Sequence, residues 1–392
     1  MKLVVFGLTI SSSWGNGHAT LWRGLCRALA QASHEVTFFE CDVPYYAMHR
    51  DRPDPVGCTL HLYEKWEDVL PKVRATLANA DAAIVTSYCP HARAATESVL
   101  SARVPMRVFY DLDTPVTLEH FLRGETVRYL PTGLLGDFDL VLSFTGGAAL
   151  DALRYELGAQ VVAPLYGSVD PETHHPCPPS RAYRSDLSYL GTYAEDRQAA
   201  VDRLFLDVAR KLPSHSFFLA GSLYPEDIAW PRNVRTLAHL PPGDHATFFA
   251  SSKLTLNATR GAMAKWGYCP SGRLFEAAAC GVPILSDAWE GLDQFFVPGS
   301  EILLANDTPD AVRAIHTDPG HLARIAARAR ERTLDEHSAA VRARELVRLL
   351  EFPPESQATP RRSPLSGPEV RTPSSLPSTP SASGGAASMM RS

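Results

Sequence analysis

Pro270-Ser271-Gly272-Arg273-Leu274-Phe275-Glu276-Ala277-Ala278-Ala279-Cys280-Gly281-Val282-Pro283-Ile284-Leu285-Ser286-Asp287 runs from turn to helix to strand within one short stretch. The Pro-Ser-Gly turn feeds a helix whose first backbone N–H groups have no partner within the helix. Gly281 stops that helix, Pro283 blocks its continuation, and Ile284–Ser286 read as a buried strand. Ala277–Ala279 are small enough to bring helix and sheet close together. A helix followed at once by an apolar strand is the repeating unit of a parallel sheet covered on both faces. The free N–H groups at Ser271, Gly272 and Arg273, with the positive end of the helix dipole, form a ready phosphate site. Glu276, one turn on, is placed to accept hydrogen bonds from sugar hydroxyls. An ordinary helix with Ser271 as N-cap and Glu276 in solvent has the same spacing.

Outward from this segment the unit repeats. In the second half Leu187–Leu190, Ser216–Ala220, Val234–Leu237, Leu254–Asn257, Val282–Ser286 and Ile302–Leu304 read as strands. Arg197–Leu212, Arg273–Cys280, Pro309–Ile315 and Leu322–Arg332 read as helices. In the first half the strands are Leu3–Leu8, Glu35–Phe39, Ala82–Thr86, Met106–Tyr110, Asp139–Phe144 and Gln160–Ala163, with helices at His18–Ala32, Trp66–Ala78 and Ala92–Leu100. The expected fold class is α/β, with two Rossmann-like, doubly wound domains facing a central cleft between the carboxyl ends of their strands. Pro164–Arg181 contains five prolines and fits a crossing between domains. The expected division is 1–168, 169–350 and a tail, 351–392. Helix Ser338–Leu350 is amphipathic and is expected to pack across a domain surface. Eight prolines between Pro353 and Pro380 leave the tail too few apolar residues to offset its ordering entropy, so it reads as disordered.

Composition narrows the function. The chain has 392 residues, 45% hydrophobic and 21% charged, with a formal net charge of -5. Duplex nucleic-acid binders usually carry a basic face, so no nucleic-acid partner is expected. No apolar run reaches the roughly 18 residues that span a bilayer, and Leu3–Leu8 is too short for a signal peptide, so a soluble, cytoplasmic protein without an integral membrane segment is expected. Seven scattered cysteines without a Cys-x-x-Cys pair read as reduced thiols. His174, His175 and Cys177 invite a metal reading, but adjacent histidines project in different directions, and no metal or cofactor is expected.

Other candidate residues sit at strand ends. Gly15, Asn16 and Gly17 follow the first strand, where glycines let backbone approach a ligand. They lack the full G-x-G-x-x-G spacing, which argues against a nicotinamide-dependent oxidoreductase. Asp111 and Asp113 follow Met106–Tyr110 at i, i+2, a spacing that suits a metal or a shared proton; Asp113 before Thr114-Pro115 equally fits a turn cap. His91 is a second candidate for orienting a substrate, although a lone loop histidine is more often structural. Arg197 and Arg260 end near the expected cleft, where a guanidinium grips phosphate with two hydrogen bonds; surface ion pairing is the alternative for both.

The Pro270–Asp287 segment resembles the donor-binding signature of retaining GT-B glycosyltransferases. Several further stretches resemble the CgeB-like (spore maturation) glycosyltransferase family: SWGNGHAT (Ser13–Thr20), YDLDTPVTL (Tyr110–Leu118), DFDLVLSFTGG (Asp137–Gly147), LYGSVDPE (Leu165–Glu172), YLGTYAEDRQ (Tyr189–Gln198), IAWPRNV (Ile228–Val234), LNATR (Leu256–Arg260) and DAWEGLDQFF (Asp287–Phe296). The likeness runs from about residue 1 to 350. It implies the GT-B fold and metal-independent transfer of a sugar from a nucleoside diphosphate to an acceptor the sequence does not identify, with retention at the anomeric carbon. Ser271 and Gly272 would contact the diphosphate, Glu276 the ribose, and the Gly15–Gly17 loop would lie over the reacting sugar. Many retaining members carry a second glutamate eight positions earlier, where this chain has Tyr268. The Arg and Lys such enzymes often place after the first strand of the second domain fall here on Thr192 and Arg197. A nucleotide-sugar epimerase and a non-catalytic binding protein on the same scaffold remain open alternatives.

Overall fold

The computed structural model describes residues 1–356; most of the tail, 357–392, lies outside them, and with it most of the expectation of disorder. The first lobe is a seven-stranded sheet in the order β3-β2-β1-β4-β5-β6-β7, all neighbours parallel. Its strands are β1 (Lys2–Gly7), β2 (Glu35–Cys41), β3 (Thr59–Tyr63), β4 (Ala82–Thr86), β5 (Met106–Asp111), β6 (Leu140–Ser143) and β7 (Val162–Pro164). Helices α1 (His18–Gln31), α2 (Pro44–Ala47), α3 (Trp66–Leu77), α4 (Ala92–Ser101), α5 (Thr114–Leu122) and α6 (Ala148–Tyr155) connect them. Strand β1 shows why both faces are covered. Leu3 and Val5 pack with Leu25 and Leu29 of α1, while Val4 and Phe6 face Val69 and Val73 of α3. Each such side chain contributes roughly 1.5–3 kcal/mol on burial.

The second lobe repeats the plan in six parallel strands ordered β10-β9-β8-β11-β12-β13. These are β8 (Ser185–Leu190), β9 (Phe217–Ala220), β10 (Val234–Leu237), β11 (Ser252–Asn257), β12 (Ile284–Ser286) and β13 (Leu303–Leu304). Helix α7 (Glu195–Val201) runs through a π turn (Asp202–Leu206) into α8 (Asp207–Lys211); α9 (Pro242–Ala250), α10 (Gly261–Trp266), α11 (Gly272–Ala279), α12 (Thr308–Ile315) and α13 (Pro319–Glu336) follow. Phe217 and Leu219 meet Phe205 on one face, and Phe218 and Ala220 meet Phe248 and Phe275 on the other. In both sheets the chain reverses its direction of travel beside the first strand, between β1 and β4 and between β8 and β11. The crevice at such a switch point, outside the carboxyl ends of the strands, is where α/β sheets bind ligands.

The last helix, α14 (Ala339–Glu351), returns to the first lobe. Ala343, Leu346, Leu349 and Leu350 enter the same core as Leu25 and Leu29 of α1. The chain therefore crosses between lobes twice, and the crossings lie side by side. Val169 N–H donates to His337 O (3.0 Å), and Ala339 N–H donates to Val169 O (2.7 Å). Among the described residues no helix is long and apolar enough to cross a membrane.

Candidate active site

The carboxyl ends of both sheets face one cavity of about 380 Å³, within the usual range for small-molecule sites. From the first lobe come the loop after β1 with the start of α1 (Gly15, Asn16, Gly17, His18), Asp113 after β5 and Phe144 after β6. From the second come Gly191 and Arg197 after β8, Gly221 after β9, His239 after β10, and the amino end of α11 with Ser271, Gly272, Arg273 and Glu276.

The α11 terminus is built as the sequence suggests, with one difference. Ser271 occupies the N-cap position in extended backbone, yet its hydroxyl makes no capping hydrogen bond. A Cβ at Gly272 would meet nothing within 4 Å. Leu274 N–H donates to Ser271 O (3.0 Å), which leaves Gly272 and Arg273, both lining the cavity, as the first-turn residues whose N–H groups no side chain caps. Glu276 is not solvated: its side chain is 15% exposed and lines the cavity one turn along. The Arg273 side chain turns back into its own lobe, where Nε donates to Leu190 O, Nη1 donates to Asn257 Oδ1 (3.1 Å) and the guanidinium lies 5.1 Å from the Tyr189 ring centre. Burial lowers its pKa below the ordinary arginine value. Arg273 is therefore a brace beneath the helix start, and its contribution to the cavity surface is local. Arg197 also lines the cavity, with Nη2 donating to Thr192 O.

Across the cleft, the loop after β1 is held by a buried carboxylate. Glu40 at the end of β2 accepts from Thr9 Oγ1 (3.0 Å), Ile10 N–H (2.7 Å), Ser11 N–H (3.0 Å) and Ser11 Oγ (2.5 Å). Gly15 takes φ +67°, which favours glycine. Asn16 uses its side chain inside the loop: Oδ1 accepts from Ala19 N–H (3.2 Å) and Nδ2 donates to Trp14 O (3.2 Å). It shapes the loop and starts α1, which leaves backbone as the surface toward a ligand.

Asp111 and Asp113 part company. Asp111 is fully buried, accepts from Asp113 N–H (3.1 Å), and has its pKa raised to about 6 by burial. Asp113 stands before α5 but makes no side-chain cap. Its Oδ2 accepts from Tyr88 OH (3.1 Å) and pairs with Arg260 Nη1 (3.6 Å), while Oδ1 is buried without a partner. Burial raises its pKa, against the Arg260 charge. Tyr88 holds the strained value φ +62° to reach this carboxylate. Nothing in the sequence singled it out.

Two expected residues stand elsewhere. Arg260 bridges Asp113 of the first lobe and Asp196 of the second (Nε to Oδ1, 3.2 Å), behind the cavity lining. His91 is not brought to the cavity: its ring packs against Tyr63 (5.6 Å between centres) and Trp66 (6.1 Å) at the start of α4. It serves the first lobe's packing, because the loop after β4 turns it toward the α3 side of the sheet. His18, next to the glycine loop, lines the cavity instead, with burial lowering its pKa to about 4.

The lobes also touch through Trp14 and through Tyr268. Trp14 stacks on His49 (4.0 Å) and meets His239 of the second lobe (4.1 Å). Tyr268, at φ +46°, accepts from Gly146 N–H through its carbonyl (2.9 Å), and its ring lies between Gly147 and Gly291. The position where the resembling enzymes hold a second glutamate is here a pin between lobes.

Residues 197–348 match the family model described as glycosyl transferase-like. Sucrose-phosphate synthase from Thermosynechococcus elongatus is similar in structure, with TM-score 0.62 and 14% identity over 89% of this chain and 98% of that one. Anabaena HepE, in complex with UDP and glucose, has TM-score 0.62 and 14% identity over 90% of this chain and 99% of its own. An alpha-glucosyltransferase in complex with UDP and a mismatched DNA has TM-score 0.64 and 13% identity over 90% and 99%. No curated protein matches by sequence. The fold is the two-domain GT-B arrangement of these glycosyltransferases.

Proposed function

We propose that the chain is a glycosyltransferase, of the CgeB-like branch, that moves a sugar from a nucleoside diphosphate to an acceptor hydroxyl or amine without a metal. The observation that carries this is the uncapped amino end of α11, which opens into the cleft with Glu276 one turn behind it. The amides at Ser271–Arg273 and the Arg197 guanidinium stabilise the charge that grows on the departing diphosphate. Glu276 accepts from the ribose hydroxyls, and the Gly15–Gly17 loop covers the sugar. The bond from the anomeric carbon to the diphosphate oxygen breaks as the bond to the acceptor forms. The acceptor's proton passes to Asp113, which lines the cavity, has one carboxylate oxygen without a partner and gains basicity by burial. Retention at the anomeric carbon follows the resemblance to retaining enzymes. HepE and the alpha-glucosyltransferase hold UDP in their structures, which makes uridine the first base to try. Seven free thiols suit a reducing cytoplasm.

Tyr268 favours one other reading, a binding protein that has lost transfer. A thermal-shift panel of nucleotides and nucleotide sugars, followed by acceptor-dependent release of the diphosphate, separates the two. Stabilisation by UDP or GDP with turnover supports transfer, stabilisation without turnover supports the binding protein, and stabilisation by NAD alone overturns both.

A further inference from the structure

Three lone-pair-bearing side chains from distant parts of the chain meet on the second lobe's wall of the cleft. His174 Nε2 lies 3.4 Å from His245 Nδ1 and 4.0 Å from Glu276 Oε1, and the three ligand atoms all fall within 4.8 Å of one another. His174 belongs to the crossing between lobes, His245 to α9 and Glu276 to α11. The His245 ring donates Nε2–H to Leu240 O (3.3 Å), which leaves Nδ1 a bare acceptor. Glu276, as a carboxylate, only accepts. Three converging acceptor atoms therefore share at most one proton, on His174 Nε2, and the contact it can make is long. The His174 side chain is fully buried, so water does not fill the gap from its side.

We propose that His174, His245 and Glu276 form a site for one divalent transition-metal ion of the Zn²⁺ class, and that filling it withdraws Glu276 from the nucleotide. Tetrahedral bonds of roughly 2.0–2.2 Å set neighbouring ligand atoms roughly 3.3–3.6 Å apart. The imidazole pair already has that spacing, and the longer Glu276 distance closes by rotation of a side chain facing open cavity. Two imidazoles and one carboxylate suit a borderline ion and not Mg²⁺ or Ca²⁺. The His245 hydrogen bond to Leu240 O is the outer contact that orients metal-bound imidazoles. His245 and Glu276 line the cavity, so the ion enters from the cleft and keeps a coordination position open to it. The metal site stands on this geometry alone; its antagonism with the donor rests on the proposed Glu276–ribose contact.

The test uses the full chain, stripped of metal, with ZnCl2 titrated calorimetrically. One equivalent binds the wild type, His245→Ala and His174→Gln each weaken it by roughly tenfold or more, and MgCl2 gives no heat. With UDP as probe, zinc raises the dissociation constant several-fold in the wild type and by a ratio near one in both variants, which also correct for zinc held by UDP in solution. Thermal melts confirm that each variant folds; His245, half-buried, suffices should His174→Gln fail to fold. Absence of stoichiometric zinc binding, or binding that survives both substitutions, overturns the proposal. Histidine-dependent zinc binding without any UDP binding upholds the site and defeats the ribose reading. UDP binding without zinc does the reverse.

Discussion

Gly147→Ala is a substitution in the first lobe whose cost falls on a residue of the second. Gly147 precedes α6 with φ 58° and ψ −141°, a backbone region that side chains other than glycine occupy at about 1–3 kcal/mol. A Cβ there would stand 2.4 Å from Tyr268 Cδ2 and 3.0 Å from Cε2. That clash forces the ring to move, and overpacking of this kind costs about 1–3 kcal/mol more. The sum, about 2–6 kcal/mol, lowers the melting temperature by roughly 3–8 °C in a protein of this size. The two contributions separate in a double-mutant cycle. Tyr268→Ala in the Gly147→Ala background removes the ring but not the backbone strain, so it recovers about 1–3 kcal/mol relative to additivity. Differential scanning calorimetry of the four proteins reads the cycle. Strict additivity would refute the pin between lobes, since the added methyl would then be clashing with something else.

Three further outcomes are expected, two at the site and one in the second lobe's core. Asp113→Asn lowers turnover by roughly 10²–10⁴-fold while UDP still binds; an equal loss of UDP affinity in calorimetry would move Asp113 into donor binding. Arg273→Lys cannot fork to Leu190 O and Asn257 Oδ1 together, and costs about 1–3 kcal/mol in denaturant unfolding; an unchanged midpoint would contradict the brace. Buried His337, stacked on Phe275 (4.5 Å), has its pKa lowered to about 3 by desolvation and the charges of Arg342 and Arg332. The unfolded chain therefore binds the proton first, and stability falls as pH drops below about 6.5, by up to about 1.4 kcal/mol per pH unit from this group between about pH 6 and 4. Asp111, raised to about 6, works in the opposite sense over the same window, so the effect is read as the shallower acid slope of His337→Gln; equal slopes would contradict it.

Most strands are legible because they are apolar: β4 falls on its expected residues, as does β10 despite its exposed Arg235 and Thr236, and most others lie within two. Strand β3 carries a weaker signal, because Thr59–Tyr63 alternates polar with apolar residues and fully buries only Tyr63. Helices α5 and α10 were hidden behind turn chemistry, Thr114-Pro115 and Gly261, that opens a helix as readily as it makes a loop. At the site, glycines and charges at strand ends gave Asp113, Arg197 and the α11 terminus, since topology alone brings strand ends together. Spacing could not tell that His91 would face its own lobe, nor that Arg260 would be spent on two carboxylates. Tyr88 and the meeting of His174 with His245 depend on contacts between distant segments, which no local pattern encodes.

Isothermal titration of UDP into the wild type and into Glu276→Ala bears most directly on the claim that the amino end of α11 and the carboxylate behind it hold a nucleoside diphosphate. One UDP per chain should bind, and loss of a charged hydrogen-bond acceptor, about 1.5–3 kcal/mol, should weaken it roughly 10- to 150-fold. Equal affinities in the two proteins would contradict the account, as would no binding of any nucleoside diphosphate.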